Sequence, residues 1–209
     1  MRQEEKTRLT CEKILNVAIM EFGTKSYENA SLNTICSENG ISKGLVYHNF
    51  KSKDEIYLRC VEICFREMTE YLCNAEYKAK TVQDSMRNLL HLRQRFFQEN
   101  PYYSNIFFYA LLQPPKHLLP QIREIRRQFD EFYADCCKEL LSQIELREGI
   151  TVDMAMEYFI VFQEMFNGYF QSKSYEKTEF HTLVKDHEMN LSKMLDIMLY
   201  GVAKEEYQP

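Results

Sequence analysis

The sequence predicts an all-α protein, and three observations carry that reading. Apolar residues recur at three- and four-residue spacing through one long segment after another. Strand signals are nearly absent, and Asn39-Gly40 is flanked by helical patterns rather than by alternating runs. Glycine and proline number only six and five, so punctuation is sparse.

About nine helices are expected. The first covers roughly residues 7–22, where Ile14, Ala18 and Phe22 make a stripe with Leu15 and Ile19 beside it. Gly23 is placed to end it in a left-handed conformation. Residues 24–30 form a polar loop anchored by Tyr27. Ser31 caps a short second helix, 32–39, that buries Leu32, Ile35 and Cys36. Gly40 breaks it, Ile41 plugs the turn, and Ser42 caps a third helix over about 43–50. Ser52-Lys53-Asp54-Glu55 reads as a capping box opening a long fourth helix to about residue 74.

Residues 89–98 and 102–112 read as the next two helices. Pro114, Pro115 and Pro120 punctuate the connection that follows. A long helix is predicted over 121–147, ending near Gly149. Thr151 caps the next, whose run MAMEYFIVFQEMFNGYF is apolar on nearly all sides and must be buried on several of them. The last, about 181–203, carries Val184, Leu191, Met194, Leu195, Met198 and Val202 on one stripe.

Composition narrows the class. At 209 residues and 45% hydrophobic content, the chain can bury a real core. No apolar run approaches the roughly 20 residues a bilayer demands, and the charged start MRQEEKTRLT lacks a secretory apolar stretch, so no membrane partner and a cytoplasmic location are expected. Seven scattered cysteines do not make a secreted disulfide framework and read as small buried residues. No CxxC or HExxH string is present, and the five histidines (48, 91, 117, 181 and 187) stand in no catalytic arrangement. No metal, no cofactor and no enzymatic activity are expected.

Charge is uneven. Residues 1–55 hold eight Lys/Arg and eight Asp/Glu, so the net −5 comes from the remainder. Within the balanced part, ISKGLVYHNFKSKDEI carries Lys43, Lys51 and Lys53 with no acid before Asp54. Lys43, Gly44, Tyr47 and His48 fall within roughly 140° on a helical wheel. Val46 and Phe50 are left as pegs toward the core, with Leu45 and Asn49 at the margins. Two short helices joined by a glycine turn behind a supporting helix make a helix-turn-helix. The stretch is poor in apolar residues because half of it meets something other than its own protein.

The segment SLNTICSENGISKGLVYHNFKSKDEI resembles the DNA-binding region of the tetracycline-repressor (TetR) family of bacterial transcription regulators. The matching pattern runs through Ile35, Gly40-Ile41-Ser42, Lys43-Gly44, Tyr47, Phe50, Lys51 and Lys53, with Phe22 and Tyr27 before it. Ser26, Cys36, Asn39 and Leu45 depart from it, and Leu45 leaves open which operator is read. The resemblance implies a homodimer that reads a palindromic double-stranded operator and is released by a small-molecule effector. It places a DNA-binding domain at 1–52 and an effector-binding and dimerisation domain at 53–209.

On that resemblance, Ser42, Tyr47, Lys51 and Lys53 contact phosphates, together with the helix starts at Ser31, Asn33 and Ser42. Gly44 lets backbone approach the duplex, and Lys43, Leu45, His48 and Asn49 face bases. The effector is expected to be apolar or aromatic, with Tyr103, Phe107, Phe129, Tyr133 and Phe166 as candidate pocket residues. The last two helices are expected to form a four-helix bundle with their mates through Phe162, Val184, Leu191, Met194, Leu195, Met198 and Val202. An alternative on the same scaffold is a protein-interaction module without sequence-specific DNA binding; the basic third helix speaks against it.

Overall fold

Hydroxyl side chains start several of the described helices, each satisfying a backbone N–H that the first turn leaves free. Ser31 Oγ accepts from Asn33 N at 3.1 Å, Ser42 Oγ from Leu45 N at 3.2 Å, Ser52 Oγ from Glu55 N at 3.2 Å, and Thr151 Oγ1 from Met154 N at 3.2 Å. A computed structural model describes residues 3–37, 40–174 and 179–202. Through them run α1 Gln3–Phe22, α2 Leu32–Ser37, α3 Lys43–Asn49, α4 Lys53–Cys73, α5 Val82–Glu99, α6 Pro101–Leu112, a 3-10 turn Lys116–Leu118, α7 Leu119–Leu141, α8 Val152–Lys173 and α9 Phe180–Val202. The fold is all-α, with no β-strand among the described residues. None of the described helices is long and apolar enough to cross a membrane.

Three local expectations are corrected. Gly23 does not adopt a left-handed conformation; among the described glycines only Gly40 (φ 63°) and Gly149 (φ 81°) have positive φ. Gly23 is needed for space instead: a Cβ there would lie 2.6 Å from both the Ile19 carbonyl oxygen and Tyr102 Cβ. α6 thus packs on the end of α1, and Asn105 Nδ2 donates to the Gly23 carbonyl at 2.6 Å. α5 begins at Val82 rather than 89. Thr81 Oγ1 accepts from Asp84 N at 3.0 Å and donates to Asp84 Oδ2 at 2.8 Å, which opens an extra stretch that buries Val82 and Met86. α7 stops at Leu141 rather than 147, because the chain turns there with Gln143 N donating to Leu140 O at 3.1 Å. Ile144, Leu146 and Ile150 then fold back onto the core. The predicted residues 38, 39 and 203 lie outside the described residues.

The chain divides into two compact units. The first comprises the residues up to Met68 together with Phe96–Arg127, the second Thr69–Arg95 with the residues from Gln128 on. The first unit therefore holds the start of α4 and all of α6 in addition to the helix-turn-helix. Its core includes Ile14, Ala18, Phe22, Ile35, Val46, Tyr57, Phe65 and Phe107. The core of the second gathers Met86, Leu140, Leu141, Met156, Phe159, Met198 and Leu199.

Candidate nucleic-acid interface

α3 is fixed by two apolar side chains and exposes nearly everything else. Val46 and Phe50 are 1% and 6% exposed, whereas Tyr47 is 58% exposed. Ser42, Lys43, Gly44, Leu45, His48 and Lys51 are exposed as well, as is Asn33 at the start of α2, with Ser31 half-buried. No Cβ clash constrains Gly44, which faces open space.

Three carboxylates near this surface are engaged within the protein. Glu55 accepts from Lys51 N at 2.6 Å, and Asp54 accepts from the Tyr27 hydroxyl and lies 3.3 Å from His117 Nε2. The Tyr27 bond, then His117, holds the Asp54 carboxyl below the ordinary carboxylate range, against the opposing effect of burial. Glu21, only 6% exposed, accepts from Lys25 Nζ and from Ser31 N at 2.9 Å, orienting the start of α2.

Two predicted contact residues are occupied within the protein. Asn49 Nδ2 donates to Leu45 O at 2.8 Å, and its Oδ1 accepts from Cys11 Sγ at 3.3 Å. Lys53 Nζ sits 4.3 Å above the Tyr27 ring, and burial there lowers its pKa.

The remaining predicted sites are dispersed. Phe107 is core, in tilted and edge-to-face contact with Phe65, Phe97 and Phe108, and the Tyr103 ring stacks 6.1 Å from Phe96. In the second unit Phe129 and Tyr133 are 4.8 Å apart, and Phe166 lies against Phe170 and His187. Sequence reasoning missed the polar residues beside them, Arg93, His187, Glu188 and Asn167. The signal was present: Arg93 interrupts an apolar spacing of Leu89, Leu90, Phe96 and Phe97, and His187 follows Leu183 by one helical turn.

Of the predicted dimer stripe, Met198 is buried in the core of the second unit, and Leu195 and Phe162 pack against that core. Val184, Leu191 and Met194 are half-buried, and the Val202 side chain lies outside the described residues. The large exposed apolar side chains on these helices are Met154, Tyr158, Ile160, Val161, Met165 and Tyr169 of α8 and Met189, Ile197 and Tyr200 of α9. A cavity of about 510 Å³ opens between the two helices, lined by Met165, Phe166, Tyr169 and Phe170 on one side and Leu183 and Met194 on the other.

Five cysteines are buried, Cys11 is half-buried and Cys73 is exposed. Among the described residues no group of His, Cys, Asp or Glu is arranged to hold a metal ion.

A helix-turn-helix with an outward basic third helix, followed by a helical C-terminal unit, defines a class of one-chain DNA-binding regulators. The family model for bacterial regulatory proteins, tetR family, matches residues 14–60, and that for the tetracyclin repressor-like C-terminal domain matches residues 80–202. The chain belongs to the TetR family and is a transcriptional regulator of that family. It is similar to the biofilm operon icaADBC HTH-type negative transcriptional regulator IcaR of Staphylococcus aureus, at 23% identity over 83% of this chain and 96% of the relative. IcaR of Staphylococcus epidermidis is 34% identical over a shorter region, 29% of this chain and 33% of that relative. Among solved structures, the transcriptional regulator FadR from Bacillus subtilis in complex with stearoyl-CoA superposes with a TM-score of 0.60 at 15% identity, covering 88% of this chain and 98% of that one.

Proposed function

We propose that this regulator represses transcription by binding a palindromic operator as a homodimer, and that a small molecule held in the C-terminal unit releases it. The single observation carrying the DNA-binding part is α3, whose two buried pegs, Val46 and Phe50, leave Lys43, Tyr47 and His48 turned to solvent. Lys43 and His48 read base edges, joined by Leu45 against a thymine methyl. Ser42, Tyr47 and Lys51, with the starts of α2 and α3, hold phosphates and set register. Lys53 joins them by leaving the Tyr27 ring. The reading head is residues 1–52, and residues 53–209 carry effector binding and dimerisation.

The test is fluorescence anisotropy with DNA flanking the protein's own gene across a salt series. A dimer neutralising about six phosphates gives a slope of log affinity against log salt near −5. A slope near zero sinks the proposal.

Dimerisation falls to the exposed apolar side chains of α8 and α9, among them Tyr158, Val161, Met165, Tyr169 and Ile197. Packed against a second copy they form a four-helix bundle. Met165→Asp is then expected to convert the dimer to monomer in analytical ultracentrifugation and to weaken operator binding. A variant that stays dimeric removes this face from the interface. The negative role of IcaR and the stearoyl-CoA bound to FadR support repression and an apolar effector, respectively.

A further inference from the structure

Four helices of the second unit bring together a buried polar cluster that DNA binding does not use. Arg93 comes from α5, Tyr133 from α7, Asn167 from α8, and His187 and Glu188 from α9. Arg93 Nη2 donates to Glu188 Oε1 at 2.5 Å, His187 Nδ1 lies 3.2 Å from the same oxygen, and His187 Nε2 lies 3.0 Å from Asn167 Oδ1. A neutral ring serves both contacts when Nδ1–H donates to Glu188 and the Asn167 amide presents its NH2 end to Nε2.

Three polar atoms of this cluster are buried without a hydrogen-bond partner: Arg93 Nε, Tyr133 OH and Glu188 Oε2. Arg93 and Tyr133 are each more than nine-tenths buried. Unpartnered buried polar atoms are costly and call for a reason. The unmet capacity here is one N–H donor, one carboxylate acceptor and one hydroxyl. The surroundings are aromatic. Phe129 stands 4.8 Å from Tyr133, and Phe166 and Phe170 stand 4.8 and 5.1 Å from His187. The rings of Phe166 and Phe170 also line the 510 Å³ cavity between α8 and α9, so that cavity reaches to within one ring of His187.

We infer that this cluster is the recognition end of the effector site and that its ligand is a neutral phenol, an aromatic ring bearing a hydroxyl group. The inference rests on the ligand-released regulator described above. The ligand hydroxyl donates to Glu188 Oε2 and accepts from both Arg93 Nε–H and the Tyr133 hydroxyl, and its ring lies among Phe129, Phe166 and Phe170. Arg93 and Glu188 cancel in charge, which leaves nothing to offset an ionic guest in a dry site. A carboxylate would meet Glu188, and an ammonium would meet Arg93. Displacement of the Phe166 or Phe170 ring opens the cluster to the cavity.

The test is isothermal titration of the full-length protein with three probes on one frame: 4-propylphenol, 4-propylbenzoate and 4-propylbenzylammonium. The phenol is expected to bind at least about tenfold more tightly than either ion, and Tyr133→Phe to weaken it by about fivefold or more. The paired variant Arg93→Met/Glu188→Leu replaces the ion pair without stranding a charge, so it is expected to fold, to keep its gel shift, and to lose phenol affinity by about tenfold or more. Should the pair fail to fold, Tyr133→Phe decides alone. Equal or tighter binding of an ion, no phenol binding, or unchanged phenol affinity in the variants overturns the inference. A probe-free gel shift with the gene's flanking DNA separates the two readings. A retained shift without phenol binding removes only the cluster's role, and phenol binding without a shift removes only the DNA-binding reading.

Discussion

Lys43 opens α3 and Phe50 closes it, and the two answer to different physics. Lys43 is exposed, so its value lies in what it meets outside the protein. Lys43→Ala is expected to weaken operator binding by about 1–3 kcal/mol, roughly 5- to 150-fold, with the urea unfolding midpoint unchanged. Phe50 is buried, and Phe50→Ala is expected to cost about 3–5 kcal/mol of stability, with DNA binding lost only because the reading head unfolds. Comparing anisotropy with urea melts separates the two. Asn49 belongs with Phe50 rather than with Lys43, since both ends of its amide are bonded inside the protein. Asn49→Ala should leave base preference at every operator position unchanged. The outward face of α3 was legible because two buried pegs settle the orientation of a short helix. The capture of Asn49 by Cys11, and of Lys53 by Tyr27, was not, because each depends on a partner distant in sequence.

Helix ends decide how the elements meet. Ser52 and Glu55 close the junction between α3 and α4 from both sides: Ser52 Oγ takes the Glu55 N–H, and Glu55 reaches back to Lys51 N. Ser52→Ala is expected to cost about 1 kcal/mol by urea denaturation, the usual worth of an N-cap. Gly23 carries the other junction. Gly23→Ala forces a methyl against Tyr102 and the Ile19 carbonyl, and an overpacking loss of about 1–3 kcal/mol is expected in the same assay. The caps at residues 31, 42, 52 and 151 were readable because Ser and Thr in those settings have one dominant use. The start of α5 was not, since Thr81 and Asp84 make an unusual box and only Val82 and Met86 mark the period. The role of Gly23 was hidden for a different reason: glycine marks a left-handed residue and a close approach equally well, and only the position of α6 distinguishes them.

Acid stability of the whole chain should carry the signature of the buried cluster. Burial pushes the Glu188 carboxyl up, but Arg93 and then His187 outweigh it and hold it at about 2, against an ordinary 4.5. Its stabilising contribution is therefore full above pH 4.5 and is lost as pH falls toward about 2, with a size on the order of 3 kcal/mol. His187 acts earlier. Burial lowers its pKa from the ordinary 6.5 even though Glu188 opposes the shift, so below pH 6.5 the unfolded chain takes up a proton that the folded ring resists. Both groups bind more protons unfolded than folded, and both make stability fall as pH falls, His187 first and Glu188 last. Glu188→Gln strands the buried Arg93 charge and should cost about 3–5 kcal/mol at pH 7. The variant also lacks the Glu188 contribution to the acid limb, so the gap between the two proteins should narrow between pH 4.5 and 2. Urea unfolding at pH 7, 5 and 3, at one fixed protomer concentration because dimer formation would couple to stability, measures that gap. Parallel curves would mean that the Arg93–Glu188 pair does not set the carboxyl's affinity for its proton.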